Sequence, residues 1–383
     1  MEFDLTWVLL GLPMAFVMGW LASRLDLRQV RLENQQAPKA YFKGLNFLLN
    51  EQQDQAIDAF IEAVQKDPDT SELHFALGNL FRRRGEYERA VRVHEHLLSR
   101  ADLSQDDRHR AQHALALDFL KAGLLDRAED ALQKLDGTRF ETEAHLALLA
   151  NFERSRDWAQ ATPIAEKLES ATPGSFSLRL AHYLCEQATA ASAQGDTVEA
   201  LLRLQDALQR APDAPRPRLE IARLQLINGE AGLAFQTLVA ALESSPAAAP
   251  LIAGPLTEAA QSSGNVPMAR SILQRLYQDT PSLDLLEAMV KLSAADPLEQ
   301  ARDWYVRHLD QEPSLVAAAR WIAGEKLEHE QFHPQVQRAL DHATKPLLRY
   351  RCAACGFEAM QHFWQCPGCQ TWDSYPARRI EEL

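Results

Sequence analysis

Four cysteines near the C-terminus carry the most specific chemistry in the chain. Cys352 and Cys355 form one C-x2-C pair and Cys366 and Cys369 a second, with ten residues between the pairs. Two tight turns of this kind can bring four thiolates around one tetrahedral ion. Gly356 and Gly368 permit backbone geometry that other residues resist, and Pro367 stiffens the second turn. Backbone N–H groups of such turns can offset the charge on sulfur. Four protein ligands close the site, so it is structural or electron-transferring rather than hydrolytic. Iron and zinc share the geometry. Tyr350, Phe357, Phe363, Trp364 and Trp372 are expected to wrap the knuckle in a small aromatic core, because a segment this short rarely folds without a staple.

Other chemistry-bearing patterns are weaker. The stretch from His329 to His333 matches H-E-x-x-H, a pattern that binds zinc only when both histidines share a helical face. Pro334 follows directly and biases His333 away from helix, so a polar helix end is the expected reading. His109 and His113 are spaced for chelation, but a solvated face is the commoner outcome. Cys185 reads as a small apolar filler. Neither a phosphate-binding glycine loop nor a nucleophile elbow occurs, so the chain does not read as an enzyme.

Free thiols suit a reducing compartment, which the N-terminus supports. Leu5 to Ala22 is an uncharged run of 18 residues, with Trp7 and Trp20 near its ends. As a helix it is about 27 Å long, close to the hydrocarbon thickness of a bilayer. Glu2 and Asp4 precede it, whereas Arg24, Arg28 and Arg31 follow. That asymmetry places the N-terminus outside and the body in the cytoplasm. A cleaved signal peptide would need a basic start and a small-residue cleavage site, and this start is acidic.

Between anchor and knuckle the chain repeats. An alanine followed by apolar residues at helical spacing recurs at Ala56, Ala90, Ala128, Ala161, Ala200, Ala234, Ala269 and Ala301, on average every 35 residues. That is the period of tetratricopeptide helix pairs. Five residues before the alanine stand Gly85, Gly123, Gly195, Gly229 and Gly264, suited to a left-handed turn between helices. Twelve residues after it stand Pro68, Pro173, Pro212, Pro246, Pro281 and Pro313, which stop the second helix. Small residues at Gly44, Gly78 and Ala116 are expected where helices cross closely, with Phe47 packing on Phe60. Stacked pairs form a superhelix with an extended concave face for a protein partner. The net charge of -13 argues against nucleic-acid binding, which needs basic surface.

Anchor, repeats and terminal C-A-A-C-G-F and C-P-G-C knuckles, in this order, resemble the lipopolysaccharide assembly protein B family over essentially the whole chain. The expected fold is all-α, a tetratricopeptide-repeat superhelical solenoid with an N-terminal transmembrane helix and a small rubredoxin-like metal-binding domain. Its parts are an anchor at 1–22, a juxtamembrane segment at 23–36, a solenoid of about eight units at 37–345 and the four-cysteine domain at 346–383. The resemblance implies a single-pass inner-membrane protein with its body in the cytoplasm. It implies an adaptor that helps a membrane-anchored AAA+ protease degrade the deacetylase committing precursors to lipid A. An inner-membrane lipopolysaccharide sensor is a further implied partner, and iron the implied metal, with zinc as the alternative. The short gap between knuckles favours a structural role over electron transfer. A scaffold for biosynthetic enzymes and an iron-dependent redox protein stay open as other readings. The knuckle is expected to dock on the last turns of the repeats through Tyr350 and Trp372.

Overall fold

Alanine at the recurring position lets two helices approach until only a methyl group separates them. In the computed structural model, Ala56, Ala90, Ala128, Ala161, Ala200, Ala234 and Ala269 are all completely buried. The model describes residues 16–18, 20, 42–66, 70–171, 173–174, 176–293, 298–325 and 330–383, without the side chains of 298–301 and 330. Of the expected membrane segment only Phe16–Met18 and Trp20 are among these, and they are helical. The rest of that segment, the residues at 23–36, Pro68 and His329 lie outside the described residues. Among the described residues no helix is long and apolar enough to cross a membrane.

The chain divides into two compact units, residues 1–151 and 152–383. The first holds helices α1 (Gln53–Lys66), α2 (Ser71–Arg84), α3 (Tyr87–Ser99), α4 (Gln105–Ala122) and α5 (Leu125–Gln133), and the division falls within α6 (Glu141–Ser155). Its core joins Ala56, Phe60, Leu77, Phe81 and Ala90, with Phe47 packed against them. At Gly78 a Cβ would come within 2.5 Å of the His94 ring, so the expected close crossing is real. His94 Nδ1 lies 2.5 Å from Asp118 Oδ2, both side chains are fully buried, and Arg82 closes the cluster with a 2.9 Å bond to Asp118. One polar network thus ties α2, α3 and α4 together, where a missing partner would leave a buried charge.

The second unit continues with α7 (Trp158–Ala171), α8 (Ser177–Ala193), α9 (Thr197–Arg210), α10 (Pro215–Ile227), α11 (Ala231–Ser244), α12 (Ala249–Ser263), α13 (Val266–Asp279), α14 (Leu283–Leu292), α15 (Leu298–Gln311), α16 (Leu315–Gly324) and α17 (His333–Thr344). Its largest apolar cluster includes Ala222, Phe235, Leu256, Leu273 and Met289. A two-stranded antiparallel sheet follows, β1 (Tyr350–Arg351) with β2 (Glu358–Ala359), pairing Tyr350 with Ala359.

The turn between paired helices is one motif used repeatedly. All five expected glycines have φ between 75 and 83°. Glu51 and Arg156 hold the equivalent positions of two further units at φ 58°, so the conformation recurs where glycine does not. In each of the seven, the next residue's N–H reaches five positions back, as in Glu86 to Phe81 O at 2.9 Å and Asp157 to Phe152 O at 2.9 Å. This is the Schellman closure of a helix. Pro173, Pro212, Pro246, Pro281 and Pro313 each stand two residues beyond a helix end.

One expectation is corrected. His333 opens α17 and Pro334 sits in its first turn, where the missing N–H costs nothing. The segment is a helix start rather than a helix end, and His333 Nε2 donates to Ile322 O at 3.2 Å.

No heavy atom comes within 4 Å of a Cβ placed on Gly229, so its replacement has a purely conformational cost. Gly229→Ala is expected to lose about 1 kcal/mol of stability, and Arg156→Gly to gain a similar or smaller amount. Urea unfolding of the two variants beside the parent chain checks both signs.

Candidate metal centre and its seat on the repeats

Each cysteine pair sits in a turn built in the same way. The Cys352 amide donates to Phe357 O at 2.9 Å and that of Gly356 to Cys352 O at 2.9 Å. In the second turn the Cys366 amide donates to Thr371 O at 3.0 Å and that of Gln370 to Cys366 O at 2.8 Å. The left-handed residues are Gly356 at φ 78° and Gln370 at φ 60°. Gly368 therefore has a different purpose from the one its type suggested: a Cβ there would stand 3.3 Å from the Phe357 ring. Its amide donates to Cys366 Sγ at 3.4 Å.

The four sulfurs lie within 4.8 Å of one another. Cys352 Sγ is 3.8 Å from Cys369 Sγ, and Cys355 Sγ 3.7 Å from Cys366 Sγ. A tetrahedron with metal–sulfur bonds of about 2.3 Å has edges of about 3.8 Å, so the donor set fits one tetrahedral ion. Cys352 and Cys366 are buried, Cys355 and Cys369 exposed. Burial opposes ionisation of Cys352, but Ser374 and the amides of Cys355 and Ala354 hold its thiol down to about 6. With four sulfurs this close, a cation is the natural means of balancing the thiolates.

The expected docking is right in part: Tyr350 belongs to a cluster joined by Leu251 of α12, whereas Trp372 seats on earlier repeats. Trp372 does leave the knuckle to meet the repeats, but it meets α6 and α8 rather than the last turns. Its ring stacks on His182 at a centroid distance of 4.7 Å, and its Nε1 donates to Glu153 Oε1 at 3.0 Å. Asp373 follows with a left-handed φ of 51°. Its carboxylate accepts from His182 Nε2 at 2.9 Å, while Arg216 approaches His182 Nδ1 at 3.3 Å. A guanidinium can only donate and a carboxylate oxygen accepts, so Nδ1 faces the donor and Nε2 the acceptor. Arg179 grips Glu153 with 2.7 Å bonds to both oxygens, and the Tyr183 hydroxyl donates to the same carboxylate. Burial raises the Tyr183 pKa, so the phenol stays a donor. Arg216 is only 4% exposed and also binds Glu186 at 2.6 Å.

The aromatic residues are thus divided. Tyr350, Tyr375 and Phe363 gather with Cys352 and Cys366, joined by Leu251 of α12. Trp372 faces the repeats, and Trp364 stands 5.9 Å from His182. Phe357 is exposed rather than part of a shielding core. Beside the knuckle a cavity of about 440 Å³ opens between Leu219, Arg223, Leu251, Glu258, His362 and Trp364.

Residues 379–382 form a second attachment that no pattern in the sequence marks. Glu381 accepts from the amides of Leu315 and Val316 at 2.6 and 3.1 Å and from Ser314 Oγ at 2.7 Å, capping α16. Glu382 accepts from the Leu283 amide at 2.7 Å, at the start of α14. Arg379 pairs with Asp284 at 2.7 Å and lies over the Tyr350 ring at 4.3 Å. Acids at helix N-termini meet both free N–H groups and the positive end of the dipole. Cys185 is buried as expected, and burial pushes its thiol up to about 12. His113 is half-buried and stacks on Phe140 at 5.1 Å.

Fold and site together define a helical-repeat protein closed by a tetracysteine ribbon. A zinc-ribbon family model described as a rubredoxin metal binding domain matches residues 350–375, and a tetratricopeptide repeat model matches residues 73–110. Lipopolysaccharide assembly protein B of Escherichia coli K12 is 30% identical over 97% of this chain and 98% of its own length. The protein of that name from Haemophilus influenzae is 28% identical over 95% and 96%. The chain belongs to the lipopolysaccharide assembly protein B family. Among solved structures, that of Naa15/Naa10 bound to HypK-THB aligns with 82% of this chain and 47% of its own, at 13% identity and a TM-score of 0.45. The TPR2AB-domain complex of yeast Sti1 with pHSP90 covers 73% and 97%, at 14% identity and a TM-score of 0.36.

Stripping metal with a strong chelator should release the segment from Gln370 to Tyr375 from its seat. Hydrogen exchange there is expected to rise sharply while α9 to α12 keep their protection, and unchanged exchange would show that the seat holds without an ion. Glu381→Ala should cost about 1–2 kcal/mol, read as faster exchange of the Leu315 and Val316 amides.

Proposed function

We propose that the chain is a membrane-tethered adaptor in the control of lipopolysaccharide synthesis. It presents the lipid A-committing deacetylase to a membrane-anchored AAA+ protease, and an inner-membrane lipopolysaccharide sensor sets when it does so. The observation that carries this reading is family membership along the whole chain, at 30% identity over 97% of its length. Residues 1–22 serve as the anchor, 37–345 as the solenoid and 346–383 as the ribbon. Tethering confines the body near a membrane protease and raises its effective concentration there. Binding rather than catalysis is the role.

Cys352, Cys355, Cys366 and Cys369 hold one ion, iron or zinc, both of which suit a tetrathiolate set. The ion's task is to fix the two turns, so that Trp372 and Asp373 reach Glu153 and His182. The ribbon thereby braces the repeats that partners must grip. No change of oxidation state is needed for this.

Removal of residues 1–22 should leave a folded protein that no longer restrains the deacetylase. The measurement is deacetylase half-life in cells carrying only the truncated chain, followed by immunoblot after synthesis is stopped. A half-life equal to that with the intact chain would rule out tethered adaptation.

A further inference from the structure

We propose that a cleft in the first unit is a docking site for an acidic peptide segment of a protein partner. The cleft encloses about 380 Å³ and is lined by Phe75, Asn79 and Arg82 of α2, Arg110 and His113 of α4, and Arg139 and Phe140 just before α6. Every charged side chain on this wall is a guanidinium, on a chain whose net charge is -13. Charge complementarity therefore selects an acidic occupant.

The three arginines are not equivalent. Arg82 is committed to the structure through buried Asp118 and the Ala114 carbonyl. Its Nη2 also lies 2.5 Å from Asn79 Oδ1, which leaves the Asn79 amide nitrogen as a donor. Arg110 lies over Phe75 at 4.1 Å, and Arg139 over Phe140 at 4.9 Å. Stacking fixes the plane of a guanidinium and leaves its edge for a carboxylate in that plane. The present partners of these two are Glu72, at 2.5 Å from Arg110, and Asp106, at 3.5 Å from Arg139. Both acids are more than half exposed. The single 3.5 Å pair of Arg139 is worth about 0–1 kcal/mol, whereas Glu72 holds Arg110 by two bonds, at 2.5 and 3.1 Å, and is the competitor an occupant must displace.

His113 completes the wall by stacking on Phe140. Burial draws it below the ordinary imidazole range, so at neutral pH it adds apolar surface and no charge. The cations stand on separate elements with two phenyl rings among them. That arrangement suits carboxylates spaced along an extended chain, with an apolar side chain between, better than one compact anion. The helices concerned also belong to successive repeats, whose stacked faces form the binding groove of such arrays. The site deepens the adaptor reading by naming the chemistry its groove would take, and it rests on that reading only for the identity of the partner.

The test uses the full-length chain and a fluorescein-labelled heptapeptide, Leu-Asp-Glu-Phe-Asp-Glu-Leu, with a blocked C-terminus. Fluorescence anisotropy is compared with that of the peptide carrying Asn and Gln in place of Asp and Glu. The acidic peptide should bind, and the amide version at least about tenfold more weakly. Arg110→Ala should weaken binding about tenfold, and Arg110→Lys by less, because it keeps the charge and loses the fork. Glu72→Gln removes the resident competitor and should tighten binding, an effect no purely structural role produces. Both positions are partly exposed, and an unchanged circular dichroism spectrum verifies the fold. Failure of the acidic peptide to bind, equal affinity for both peptides, indifference to Arg110→Ala, or full displacement by equimolar inorganic phosphate would each overturn the proposal. Neither protease nor deacetylase takes part, so failure here leaves the adaptor reading standing.

Discussion

Two helices can cross closely only where nothing larger than a methyl group stands between them, and the solenoid is built on that constraint. Seven described alanines of the repeat are completely buried. Around each one, larger side chains fill the space the methyl leaves, as Phe60 and Phe81 do in the first unit. The left-handed turn before each alanine sets the angle at which the second helix returns. A larger side chain at any of these positions would force the pair apart and shift every unit stacked beyond it.

A second constraint is electrostatic. Glu153 is buried to 8% exposure, and a carboxylate so placed is tolerable only when its oxygens are fully engaged. Arg179 and Tyr183 come from α8, but Trp372 comes from the ribbon. His182 is likewise divided between Asp373 of the ribbon and Arg216 of α10. Repeats and ribbon therefore complete each other's polar groups. Metal site and solenoid are not independent modules that happen to share a chain.

The fold was legible because its marks are steric and periodic. Alanine, glycine and proline at fixed phase state where helices cross, turn and stop, and the described helices obey them. Glu51 and Arg156 were missed because their side chains give no hint of a positive φ; only the phase of the repeat could have flagged them. The four cysteines were legible from spacing alone, and their sulfurs do converge. The seat of the ribbon was not. Glu153, His182 and Arg216 are ordinary helical residues separated from Trp372 by more than a hundred positions, and no local pattern marks a contact made at that distance. Aromatic residues beside cysteines usually shield them, which is the reason to expect Trp364 in a core, whereas Trp372 is expected both there and on the repeats. Here both are spent on the repeats.

The far end of the array depends on the chain's own tail. The first turns of α14 and α16 take acceptors from Glu382 and Glu381, which follow them in the chain by 99 and 66 residues. Until the ribosome has added them, those amides lack their acceptors and the closing repeats stay unfinished. A chain interrupted before Glu381 therefore carries its defect in the same helices that these two carboxylates seal.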